Sequence, residues 1–177
     1  MQLSRFGTYF WCVPPNRFEL DKKKAESLPD VIETLLPYED GDVLELDELW
    51  SFVYCKANKC WIWIALCKRT RQIVSWVMGA RDEERCQTLW DLIPDDYKQS
   101  MIYSDFYAAY QKILAEHQHQ AVGKDSGLTN HVERWNCTLR QRICRFVRKT
   151  LSFSKSEYMH EMYLKLFIHG YNMSLIN

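Results

Sequence analysis

The chain has 177 residues, 47% hydrophobic and 26% charged, a globular composition that excludes wholesale disorder and suffices for one domain with its own core. No run of about 18 apolar residues occurs, so no membrane-spanning helix is predicted, and the N-terminal MQLSRFGTYFWCVPPNRF lacks the basic-then-apolar order of a secretion signal. Formal net charge is zero but unevenly spread: residues 1–100 hold 13 Lys+Arg against 17 Asp+Glu, residues 101–177 hold 10 against 6 and all five histidines, and a basic half on a neutral chain points to a phosphate-bearing partner.

Residues 1–42 read as an irregular N-terminal segment or partial linker, interrupted by Pro14-Pro15, Pro29 and Pro37, with DKKKAESL (21–28) as a short helix. Order sharpens at Val43. VLELDELWSFVYC (43–55) is predicted as a strand, KANK as a turn, and the almost unbroken apolar CWIWIALC (60–67) as a second strand buried on both faces. After KRTRQ, IVSWVMGA (73–80) makes a third. DEERCQTLWDLI (82–93) reads as a helix with an acidic first turn, closed off by Pro94. MIYSDFY (101–107) is a fourth strand, AAYQKILAEH (108–117) a helix and QAVG (120–123) a short fifth strand. A long helix is expected over about 129–149, because Val132, Trp135, Leu139, Ile143 and Phe146 recur at steps of 3, 4, 4 and 3. Ser152 or Ser154 is the expected cap of a last helix, EYMHEMYLKLFIHGYN (157–172). Three strands joined by turns, then alternating helices and strands, predict an α/β fold with a mixed sheet.

The seven cysteines, Cys12, Cys55, Cys60, Cys67, Cys86, Cys137 and Cys144, are odd in number and show no CxxC spacing. They read as reduced thiols of a cytoplasmic protein, mostly small core residues, and not as a zinc or redox motif.

Three acids stand out against this frame. Asp47 lies within the first strand, Asp105 at the end of the fourth, and Glu133 opens the long helix. If the first and fourth strands are neighbours, Asp47 and Asp105 converge, and a helix crossing the sheet end brings in Glu133. Three carboxylates on rigid elements suit Mg²⁺ or Mn²⁺, and two such ions serve in-line displacement at a phosphodiester. The bland alternative is three solvated acids, with Glu133 merely favoured by the helix dipole. Glu45 and Glu48 lie close by; Glu45 shares the strand face of Asp47 and Glu48 points to the other.

The helix carries Arg134, Arg140, Arg142, Arg145, Arg148 and Lys149 against one acid. Arg140 follows Glu133 by seven residues, about two turns, with Asn136 and Cys137 between them on nearly the same face. That face offers a metal ligand and, about 10 Å along, a phosphate-binding guanidinium. A solvated helix with arginines paired to surface acids fits the charge pattern equally. His131, two residues before Glu133, is either a group that orients a ligand or a polar residue of the first turn.

LELDELWSFV, YSDFYAAY and HVERWNCTLRQRICRFVRKTLSFSKS together resemble the catalytic region of InsB-type transposases, those of the first-numbered bacterial insertion sequence family, over about residues 43–160. The resemblance implies a ribonuclease H-like fold with helices on both faces of the sheet, in a catalytic domain spanning 43–177. It also implies an Asp-Asp-Glu triad, which falls motif by motif on Asp47, Asp105 and Glu133, with two Mg²⁺ or Mn²⁺ ions. Many transposases of this class carry Lys or Arg seven residues after the Glu, here Arg140. The implied activity is DNA cleavage and strand transfer on transposon ends and target duplex, with Arg134, Asn136, Arg140, Arg142, Arg145, Arg148 and Lys149 as DNA-binding candidates. Family members also carry an upstream zinc module and helix-turn-helix. Residues 1–42 show neither pattern, so the expected role is that of the downstream reading-frame product, acting as a homo-oligomer or with the fusion transposase. Two alternatives stand beside this: a DNA-binding or regulatory partner that does not turn over, and a nuclease acting on RNA–DNA hybrid.

Overall fold

A computed structural model describes residues 15–147, 149 and 151–176. Helix α1 (Pro15–Ser27) starts upstream of the short helix expected at 21–28 and packs on the C-terminal helix. Strands β1 (Val43–Phe52), β2 (Lys59–Cys67) and β3 (Ile73–Gly79) follow as an antiparallel meander. Strand β1 ends earlier than its apolar run suggests, because Tyr54 takes φ 66°, outside strand geometry. Next come helix α2 (Glu83–Leu92), strand β4 (Met101–Ser104), helix α3 (Ala108–Ile113) and strand β5 (His119–Ala121). Asp82 caps α2 by accepting from the Arg85 N–H at 2.9 Å. Strand β4 is shorter than MIYSDFY because the Asp105 carboxylate accepts the Tyr107 N–H at 2.9 Å, turning the chain into α3.

The sheet order is β3-β2-β1-β4-β5, with β4 parallel to β1 and β5 parallel to β4. This is the mixed, ribonuclease H-like arrangement expected, with the first and fourth strands adjacent. Strand β2 explains its own unbroken apolar run: Ile62, Ile64 and Leu66 join one core cluster while Trp63, Ala65 and Cys67 join the other. The first cluster holds helix α4 (Asn130–Arg142) and helix α5 (Glu157–Ser174); the second holds α2 and α3. Helices therefore cover both faces.

Helix α4 stops at Arg142, seven residues before the predicted 149. Ile143 is extended (φ −118°, ψ 105°) and Cys144–Phe146 form a separate 3-10 turn. Ile143 and Phe146 stay buried beside Val132, Trp135 and Leu139. A three-residue step fits a 3-10 turn as well as an α-helix, so the stripe continues after the helix has ended. The cap of α5 is also corrected: Ser156, not Ser152 or Ser154, accepts the Met159 N–H at 3.2 Å. The Ser154 hydroxyl is instead engaged with His160 Nδ1 at 2.9 Å, and His160 Nε2 reaches Ser51 Oγ on β1 at 2.9 Å. Cys60, Cys67 and Cys86 are buried free thiols, as expected of core residues, while Cys55 and Cys137 are exposed; Cys12 lies outside the described residues. Among the described residues no helix is long and apolar enough to cross a membrane.

Candidate active site

Strands β1 and β4 are in register at Val43↔Met101, Leu44↔Ile102 and Glu45↔Tyr103. Two positions further along each strand come Asp47 and Asp105, so the parallel pair delivers both carboxylates to one sheet end. Glu133 lies in the first turn of α4, and its charge reaches Asp47. The link between α4 and β1 is Glu45. Fully buried, its Oε2 accepts the N–H groups of His131 and Val132 at 2.9 and 3.0 Å, and its Oε1 meets His131 Nδ1 at 2.5 Å. Backbone N–H groups of a first helical turn have no partner within the helix; a strand carboxylate supplies one here, where Thr129 makes no side-chain cap. Further along, Asn136 Nδ2 donates to Asp47 Oδ2 at 2.7 Å and Arg140 Nη2 donates to the Trp50 carbonyl at 3.2 Å. Helix α4 thus runs alongside β1 in the same direction.

The electrostatics are those of crowded carboxylates. Burial, and next the neighbouring Glu48, push Asp47 up to about 7, with Asp105 and Glu133 adding to the repulsion and the Glu48 N–H opposing it. Burial also raises Glu48 and Glu45. Glu48 lies on the opposite strand face, as period two requires. Its carboxylate accepts from the Tyr110 hydroxyl at 2.8 Å and from Arg81 Nε at 2.6 Å. Glu133 accepts from the Thr129 hydroxyl at 3.1 Å, and Asp105 is half exposed.

This donor set suits a hard divalent cation: every candidate ligand is a carboxylate oxygen, and Asp47 is repelled by three other acids whose charge a cation would offset. Among the described residues no three His, Cys, Asp or Glu side chains are already gathered in metal-holding geometry; each of the three instead engages a nearby donor.

Residues 43–173 match the family model described as IS1 transposase. The chain belongs to the IS1 transposase family. It is 37% identical over 126 residues to the insertion element iso-IS1n protein InsB of Shigella dysenteriae, covering 71% of this chain and 93% of that protein. It is 32% identical over 117 residues to the insertion element IS1 protein InsB of Shigella flexneri, covering 66% of this chain and 86% of the relative. An InsB protein of insertion element IS1 4 from Escherichia coli K12 matches at 31% over 117 residues, 68% of its length. Family membership makes this a transposase, an enzyme of insertion-element transposition that interacts with DNA.

Of the basic candidates in this transposase, Arg134, Arg142 and Lys149 are exposed. Asn136 is buried against Asp47. Arg140 reaches back to β1, and the guanidinium of Arg145 sits 4.5 Å from the ring centre of Tyr163. Arg148 lies outside the described residues. The sequence reading missed Arg81 and Tyr110. Arg81 follows an edge strand not adjacent to β1, and its guanidinium lies over Trp61 of β2. The GARDE stretch, a basic residue in a strand-to-helix turn, was the available signal.

Proposed function

We propose that this chain is the catalytic part of the transposase, cleaving and joining DNA phosphodiesters through Asp47, Asp105 and Glu133. The observation that carries the reading is that carboxylates from β1, the end of β4 and the first turn of α4 lie within one another's electrostatic reach, Asp105 and Glu133 both raising Asp47. These side chains would hold two Mg²⁺ or Mn²⁺ ions, which supply activation of the attacking oxygen and stabilisation of the leaving oxygen. Strands β1 and β4 fix two ligands on the sheet, and the Glu45 cap fixes the helix that carries the third. In the first reaction a water oxygen gives up a proton as it bonds to phosphorus at the element end, the bond to the 3′ oxygen breaks, and that oxygen takes up a proton and leaves as a 3′-hydroxyl. In the second, this hydroxyl attacks a target phosphodiester, loses its proton, and releases a new 3′ end. The exposed Arg134, Arg142 and Lys149 serve as phosphate contacts, which position duplex without reading bases. Reading of the element ends is assigned to a DNA-binding partner or fused part.

Asp105→Asn tests the assignment. Asp105 is half exposed and its amide variant keeps an oxygen for the Tyr107 N–H, so folding should survive while Mg²⁺-dependent cleavage and joining disappear. Cleavage at the natural rate would overturn the triad.

A further inference from the structure

We propose that Arg81 is a substrate ligand of this site, holding a non-bridging oxygen of the reacting phosphodiester; the proposal rests on the catalytic reading above. The residue is built into place from several sides. Trp63 Nε1 donates to the Ala80 carbonyl at 3.0 Å, and the Tyr107 hydroxyl donates to the Arg81 carbonyl at 2.9 Å. The centre of its guanidinium lies 4.1 Å from the ring centre of Tyr107 and 4.9 Å from that of Trp61, so two aromatic rings flank the cation. Nε donates to Glu48 Oε1 at 2.6 Å and Nη2 pairs with the same oxygen. Asp105 Oδ2 is 4.0 Å from Nη2, too far for a hydrogen bond and near enough to share its field.

This leaves an edge unspent. A guanidinium has five N–H donors in a rigid fork, and Glu48 takes one side of it. No other side-chain or backbone acceptor engages the guanidinium among the described residues, and the side chain is 36% exposed. Balancing the Glu48 charge requires only a cation, which a lysine would provide. Aromatic flanks and a carboxylate hook preset the orientation of a planar fork, the form suited to two oxygens of a phosphate. A phosphodiester brought to Asp105 lies beside that open edge, and a preset donor there is worth more as charge grows on the phosphoryl oxygens.

The test uses the active transposase containing this domain, with duplex carrying the element end. One substrate is unmodified; the other has a methylphosphonate in place of the reacting phosphodiester, which removes one non-bridging oxygen. Arg81→Ala should slow Mg²⁺-dependent cleavage of unmodified DNA by about 100-fold or more, and Arg81→Lys should recover less than tenfold of that loss. Methylphosphonate should slow the natural enzyme but add little to the Arg81→Ala defect, because the contact is already gone. The proposal is overturned if the two losses multiply, if Arg81→Lys restores the full rate, or if Glu48→Gln rescues Arg81→Ala, which would make Arg81 a charge balancer. Asp105→Asn run alongside separates the two layers: full activity there removes the catalytic reading, whereas a dead Asp105→Asn with a fully active Arg81→Ala removes only the role of Arg81.

Discussion

Glu45 has no solvent exposure, and a carboxylate buried without partners is strongly disfavoured. Its partners are two backbone N–H groups and an imidazole of α4, so its place in the strand and the position of Glu133 are one problem. Glu45→Ala removes both acceptor oxygens and leaves the His131 and Val132 N–H groups of the first turn without a partner. We expect about 1–3 kcal/mol of lost stability in urea denaturation, with slower cleavage as the first turn of α4 shifts; unchanged stability would mean that the cap contributes nothing. His160 gives a pH prediction. Burial, with Arg145 nearby, depresses it to about 4, so the folded chain keeps it neutral while the unfolded chain protonates it near 6.5. Its stabilising contribution is present above pH 6.5 and is lost as pH falls toward 4, at roughly 1.4 kcal/mol per pH unit. Melting temperatures measured over that window should fall more steeply for the natural chain than for His160→Gln. Alternation in LELDELW correctly placed Glu45 with Asp47 and Glu48 opposite. The capping role of Glu45 left no trace in sequence, because a strand residue that caps a distant helix has no fixed spacing from it.

At the level of elements, α4 does what its composition suggests along half its length. Glu133, Asn136 and Arg140 do turn toward β1, but two of the three spend their polar groups on Asp47 and the Trp50 carbonyl. Exposed arginines on the other positions are the better candidates for DNA. Arg134→Ala and Arg142→Ala should each weaken duplex binding without regard to sequence and lower the slope of log affinity against log salt by about 1. Anisotropy titrations over a range of salt would show it, and an unchanged slope would take that residue off the interface. The predicted end of the helix failed for a physical reason: apolar spacing records which residues reach the core, and Phe146 reaches it through a 3-10 turn. The boundary is set by the extended Ile143 backbone, which a stripe of spacings cannot register.

Across the whole molecule, strand directions were readable from the chain, because tight turns demanded antiparallel neighbours and helical crossovers parallel strands, whereas the adjacency of β1 and β4 was only a condition in the sequence and is set by the fold. The doubly buried β2 carries both cores. Ile64→Ala should therefore cost about 2–5 kcal/mol and lower the urea midpoint. The pairing of Arg81 and Tyr110 with Glu48 was not readable, since both reach it by tertiary packing alone, across 33 and 62 positions of sequence.

The bond from the His131 N–H to Glu45 spans 86 positions, and contacts so distant in sequence are made late. During synthesis both aspartates leave the ribosome long before the helix that completes their site. A nascent chain stopped before Thr129 would hold Asp47 and Asp105 without Glu133, and without the first turn that Glu45 caps. In the proposed chemistry, an unfinished transposase cannot cut DNA.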